Sequence, residues 1–253
     1  MRAFGGVLHP QRDASEILGA QHVVSRAILA HATAAQARRW RAGDALDGGE
    51  FGAIPHDAAG LLDKLDIPRA HIFGVSMGGM IAQEFALRHP ARTATLTLGC
   101  TTAGGTHSVP PPPESLKILT APREGVSPED VIRRGWPLGY TAKYIAQHRD
   151  LLEAAIPRLL KFPTPPYAFQ RQLEGTYTLK TYDRLPQIKA PTLVITGAED
   201  VLIPAKNSEI LAAQIPGAKL HIIPGVGHAF MGEGRDAFVE VFVPFAKSHP
   251  LTT

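Results

Sequence analysis

Cysteine is nearly absent from this chain, with Cys100 the single one among 253 residues. No disulfide can close within it, and at this length none is needed, because a domain of this size buries about 70–75% of its unfolded surface. Cys100 ends the apolar run Thr95-Leu96-Thr97-Leu98-Gly99 and reads as a small buried hydrophobe. One cysteine fits a reducing compartment, and the expected location is the cytoplasm. No stretch approaches 18 apolar residues, so no membrane span is expected. The start, Met1-Arg2-Ala3-Phe4-Gly5-Gly6, lacks an apolar signal core. Charge is modest, at 19% charged residues and a formal net of +3. The cluster Arg38-Arg39-Trp40-Arg41 is short and has no nucleic-acid motif beside it, so no nucleic-acid partner is expected. The 11 histidines are scattered rather than spaced as ligand pairs, and neither a Walker A loop nor a dinucleotide-binding glycine motif occurs. No metal site and no cofactor are therefore expected.

What is present is an α/β rhythm that begins near Phe51. His56–Leu65 reads as a helix with Ala58, Leu61, Leu62 and Leu65 on one face, ended by Asp66-Ile67-Pro68. A strand from Ala70, a helix that stops at Pro90 and a strand over Ala94–Leu98 form a parallel crossover. Thr101–Arg184 breaks the rhythm. Pro110–Pro113 is expected to be an extended polyproline arm. Helices are expected over Ser127–Arg134, with Ser127 as N-cap, and over Ala142–Leu160 and Ala168–Tyr177. Trp136, Tyr140, Tyr144, Phe162, Tyr167, Phe169 and Tyr177 would mostly serve a small helical core there, and some could line a pocket. The rhythm resumes at Ala190. A strand over Pro191–Thr196 reads as buried on both faces. A helix over Ala205–Gln214, a strand over Lys219–Ile223 and a final helix over Arg235–Ala246 follow. The expected class is α/β, a mostly parallel central sheet with flanking helices. Residues 1–100 and 185–253 form the core, 1–50 being atypical, and 101–184 form an inserted helical cap.

The chemistry is concentrated at three strand ends. Gly74-Val75-Ser76-Met77-Gly78-Gly79 joins a strand to a helix. This Gly-x-Ser-x-Gly spacing sets a serine on a sharp turn at a helix N-terminus, where side chains two residues away on either side would collide with the neighbouring element. Asp200 follows the strand ending at Gly197, with Glu199 as the rival acid, and His228 follows Pro224-Gly225-Val226-Gly227. The carboxyl ends of parallel strands share one rim, where ligands bind. A serine hydroxyl is a weak nucleophile at neutral pH and needs a base. His228 suits that task and Asp200 would orient it, while the Met77 N–H, just after the serine, would be one oxyanion donor.

The order Ser76, Asp200, His228, with the quoted elbow and with Pro191–Asp200 and Pro224–His228, resembles the α/β-hydrolase superfamily. Leu98-Gly99-Cys100-Thr101-Thr102-Ala103-Gly104-Gly105 followed by Pro110–Pro113 is similar to its branch named after 3-oxoadipate enol-lactonase. The resemblance implies a serine hydrolase of small esters or lactones, working through an acyl-serine without a cofactor, with a helical cap over the site. Cofactor-free haloperoxidase-like members share the motif set, and a catalytically impaired relative that only binds a small ligand is the other alternative. The front of the chain departs from the family. Its His-Gly-type oxyanion loop has only Leu8-His9-Pro10 as counterpart, and Pro10 has no N–H to offer. The Arg-Gly-x-Gly-x-Ser-like loop is replaced by Arg41-Ala42-Gly43-Asp44-Ala45-Leu46-Asp47. Residues before about Gly43 are therefore expected to be a truncated or frame-shifted reading of an ordinary hydrolase gene.

Overall fold

The computed structural model describes residues 53–161 and 166–251. The expectations for the first 50 residues, including a strand over Phe4–His9, a helix over Ala27–Trp40 and the altered reading frame, lie outside the described residues, as does Phe162. The chain opens with α1 (Ala53–Lys64), β1 (Ala70–Val75), α2 (Met77–Arg88) and β2 (Thr93–Gly99). Next come α3 (Pro113–Leu119), α4 (Pro128–Gly139), α5 (Ala142–Gln147), α6 (Arg149–Leu159) and α7 (Pro166–Thr178). It closes with β3 (Thr192–Gly197), α8 (Lys206–Gln214), β4 (Lys219–Ile223), α9 (Phe230–Glu233) and α10 (Arg235–Lys247).

The described strands form one parallel sheet in the order β1-β2-β3-β4, as the crossover pattern requires. Side chains alternate between its faces. Ala70 and Ile72 of β1, Leu96 and Leu98 of β2 and Val194 of β3 pack with Leu62 of α1, Phe85 of α2 and Leu211 of α8. On the other face Ile195 and Ile223 pack with Phe230, Phe73 and Phe238, the last two with rings stacked at 5.6 Å. Every residue of β2 and β3 is buried, the mark of strands covered on both faces. On α1, Ala58 and Leu62 face the core as expected, whereas Leu65 lies past the helix end and is exposed.

Between β2 and β3 the helix expected to end at Arg134 runs on to Gly139, and two further differences have a local cause. Pro112 has φ −54° and ψ 151°, an extended polyproline conformation, but Pro113 is the first residue of α3. A proline's fixed φ suits both states, and at the first helical position its missing N–H costs nothing. The single helix expected over Ala142–Leu160 is two. His148, at φ −127°, leaves the helical region, caps α5 and opens α6. Trp136, Leu152 and Ile156 form the small core of this region, with Tyr140 and Tyr144 against it. Tyr167 and Tyr177 lie outside that core and are exposed.

Candidate active site

Ser76, Cys100, Asp200 and His228 all follow the C-terminal ends of parallel strands, and the ladder continues past those ends to hold them. The Ser76 N–H donates to Gly99 O at 2.8 Å, the Cys100 N–H to Ile195 O at 2.9 Å, and the Ala198 N–H to Ile223 O at 2.9 Å. One residue on, the Glu199 N–H donates to Val226 O at 2.9 Å. The rim is thus a continuous backbone mesh rather than a set of independent loops.

Ser76 has φ 56° and ψ −125°, a sparsely populated conformation for a residue with a side chain. Three bonds hold it there. Its carbonyl accepts from Gly79 N at 2.9 Å, from Met80 N at 3.3 Å and from the buried Thr101 hydroxyl at 2.7 Å. A Cβ on Gly74 would lie 2.1 Å from Gly78 O, and one on Gly79 would lie 2.6 Å from Thr101. A Cβ on Gly78 would meet nothing within 4 Å. The collision expected on both sides of the serine therefore exists before it but not at Gly78, and Gly79 is the second packed glycine. The first two N–H groups of α2, those of Met77 and Gly78, have no intrahelical acceptor and point out of the helix start.

Asp200 is buried and satisfied on both oxygens. Oδ1 accepts from Leu202 N at 2.9 Å and Ile203 N at 2.8 Å, and Oδ2 meets His228 Nδ1 at 2.7 Å. The His228 side chain is 12% exposed and that of Asp200 0%. The neighbouring Glu199 is exposed, and it is Asp200 that meets the imidazole. The meeting is set by a close backbone approach, since a Cβ on Gly197 would lie 2.2 Å from Val226 O and 2.3 Å from Gly227 O. Among the described residues no hydrogen bond joins the Ser76 hydroxyl to His228. The structure brings the acid and the imidazole together and sets the serine on the same rim.

Cys100 is fully buried, with φ 45°, and its Sγ lies 3.5 Å from Thr196 Oγ1. Sequence reasoning found its burial but missed its neighbours. A ligating atom of each of Cys100, Asp200 and His228 lies within 4.8 Å of the others. Burial, and then the Asp200 charge, push the thiol far above its ordinary range. His228 Nδ1 is already engaged by Asp200.

Glu84 on α2 is a second buried carboxylate near the elbow. It accepts from Arg88 Nε at 3.1 Å and from Arg184 Nη1 at 3.0 Å, and also pairs with Arg184 Nη2. Burial raises its pKa, but the arginine hydrogen bonds outweigh that and hold it below the usual glutamate range. Among the described residues no helix is long and apolar enough to cross a membrane.

A family model described as the alpha/beta hydrolase family matches residues 18–241. A poly(3-hydroxyalkanoate) depolymerase of Ectopseudomonas oleovorans is 36% identical over 196 residues, covering 77% of this chain and 67% of that protein. A 2-hydroxy-6-oxononadienedioate/2-hydroxy-6-oxononatrienedioate hydrolase of Cupriavidus pinatubonensis is also 36% identical, covering 74% of this chain and 65% of that protein. The chain thus spans about two thirds of the length of these relatives. The crystal structure of the enol-lactonase from Burkholderia xenovorans LB400 superposes with a TM-score of 0.64 at 28% identity, covering 78% of this chain and 72% of the other. The elbow, the parallel sheet and the match across most of its length make this chain a member of the α/β-hydrolase family.

Proposed function

We propose that this chain hydrolyses small carboxylic esters or lactones through an acyl-serine formed on Ser76. The observation that carries the proposal is the 2.7 Å bond between Asp200 and His228 on the rim that also holds the strained Ser76. In this mechanism His228 Nε2 takes the proton from Ser76 Oγ as the oxygen attacks the carbonyl carbon. The Ser76–His228 bond forms with substrate present, as catalytic contacts commonly tighten on binding. The C–O bond of the ester then breaks, and the imidazolium returns the proton to the leaving oxygen. Water, deprotonated by the same imidazole, attacks the acyl-serine; the acyl C–O bond breaks, the imidazolium returns the proton to Ser76 Oγ, and the acid is released. Asp200 fixes the tautomer by accepting from Nδ1–H and stabilises the imidazolium. The Met77 N–H faces the tetrahedral oxyanion, and one such donor is typically worth about 10²–10³ in turnover.

The likeness to a polyester depolymerase and to an enol-lactonase supports an ester or lactone bond as the target. The 36% identity to a hydrolase of a 2-hydroxy-6-oxo dienedioate favours a second reading, in which the same serine attacks a ketone and a carbon–carbon bond is cleaved. A panel of short-chain p-nitrophenyl esters, small lactones and a 2-hydroxy-6-oxo-dienoate, tested on the purified chain with Ser76→Ala as control, separates the two. Turnover of an ester or lactone that disappears in Ser76→Ala is the expected result. Turnover of the dienoate alone establishes the second reading. A folded chain inert toward the whole panel, or full activity in Ser76→Ala, overturns the proposal.

A further inference from the structure

His228 is fastened on both sides to the helical region between β2 and β3, and a single carboxylate makes most of the connection. The Gly227 N–H donates to Glu233 Oε2 at 2.9 Å. The Ala229 N–H donates to Gly139 O, at the end of α4, at 2.7 Å. The Glu233 carboxylate also accepts from Thr141 N, 3.3 Å to Oε1 and 3.2 Å to Oε2, and from the Thr141 hydroxyl. Thr141 is itself the N-cap of α5, its Oγ1 accepting from Tyr144 N at 3.2 Å. The contact is tight, since a Cβ on Gly227 would lie 3.0 Å from Gly139 O and 3.3 Å from Glu233 Oε2. The bonds of Glu233 go to neither the imidazole nor the Asp200 carboxylate. They join the backbone beside the imidazole to the junction of α4 and α5.

We propose that Glu233 is a positioning residue that ties the placement of His228 to the α4–α5 junction, so that this junction and the general base move as one. The inference rests on the assignment of His228 as the base. The carboxylate accepts on both oxygens, one facing the Gly227 donor and the other the Thr141 hydroxyl. In Glu233→Gln the amide oxygen can keep the Gly227 N–H while the Thr141 hydroxyl turns to accept from the NH₂ group, so Gln is the conservative variant that retains the link and Glu233→Ala is the one that removes it. Thr141→Val removes only the hydroxyl link and leaves the charge and the Gly227 bond in place.

The test is steady-state kinetics and thermal melting of Glu233→Gln, Glu233→Ala, Thr141→Val and the double variant Thr141→Val/Glu233→Ala, on a p-nitrophenyl ester that the wild type turns over. A displacement of the base near 1 Å costs on the order of 10²-fold. The expected losses in kcat are therefore about 10–100-fold for Glu233→Ala and less for Thr141→Val, each with KM within about twofold, while Glu233→Gln largely restores kcat. The double variant should lose no more than Glu233→Ala alone, because both changes open one connection. Wild-type kcat in Glu233→Ala overturns the proposal. So does a kcat loss in the double variant equal to the product of the single losses. If Glu233→Ala fails to fold, Thr141→Val decides alone, and an unchanged kcat there overturns the proposal. His228→Ala separates the two assignments. If it keeps turnover, His228 is not the base; if it loses turnover while the Glu233 variants keep theirs, the base stands and the coupling falls.

Discussion

Gly197 stands where the end of β3 touches the loop that carries His228, and Gly197→Ala probes that contact with one methyl group. The added Cβ would lie 2.2 Å from Val226 O and 2.3 Å from Gly227 O, where ordinary contact begins at 3.4 Å. Both obstacles are backbone atoms and cannot rotate away, so the two segments must part by about 1 Å, which a close-packed interior resists. The φ of Gly197 lies outside the left-handed region, so the cost is steric. Overpacking of this kind costs about 1–3 kcal/mol. The lower entropy of the unfolded alanine chain returns about 0.4–1 kcal/mol. A net loss of about 1–2 kcal/mol corresponds to a melting temperature lower by about 2–8 °C in a domain of this size. Activity should fall further than stability. Asp200 lies three residues beyond Gly197 and His228 one beyond Gly227, so the 2.7 Å bond between them opens with the segments, and about 10²-fold in kcat should go with it. The assay pairs thermal melts with p-nitrophenyl ester kinetics. The control is Gly60→Ala on the exposed side of α1, where a Cβ meets nothing within 4 Å and the helix should gain about 0.5–1 kcal/mol. Wild-type kcat and melting temperature in Gly197→Ala would refute the claim that backbone contact sets the acid–imidazole pair.

Two further outcomes follow from buried ionisable groups. The Cys100 thiol, held protonated by burial and by Asp200, should not react with a disulfide reagent at pH 8 in the native chain. After denaturation it should give one thiol per chain, and rapid native labelling would contradict its burial. Glu84 is held below the glutamate range by Arg184 and Arg88 against the effect of its burial, so its contribution is present at neutral pH and is lost as pH falls through that depressed value. Arg184→Ala should destabilise by about 1–3 kcal/mol at pH 7, less than a fully buried pair because Arg184 is partly exposed and Arg88 stays. The deficit should shrink in acid, and a deficit that does not change with pH would contradict the pairing.

The elements that local chemistry dictates could be read from the residues alone. The elbow follows from Gly74, Ser76 and the strand–helix change around them, and β3 from an unbroken apolar run. Asp200 and His228 follow from their position just past strand ends. What escaped depends on contacts between distant segments or on residues that fit two states. Pro113 has one φ for both an extended arm and a helix start. His148 breaks a helical run that its own composition does not interrupt. Which glycine is packed at the elbow depends on Thr101, 25 residues from Ser76. Glu233 sits 92 residues from Thr141, with no local pattern to mark it.

The central claim is that Ser76 is a nucleophile activated by His228. It is tested most directly by intact-mass and peptide mapping after treatment with a fluorophosphonate. One adduct per chain, on Ser76, formed in the native protein and at least about 10³-fold more slowly in His228→Ala, is the expected result. A folded chain that takes no adduct, or takes it on another residue, would contradict the claim.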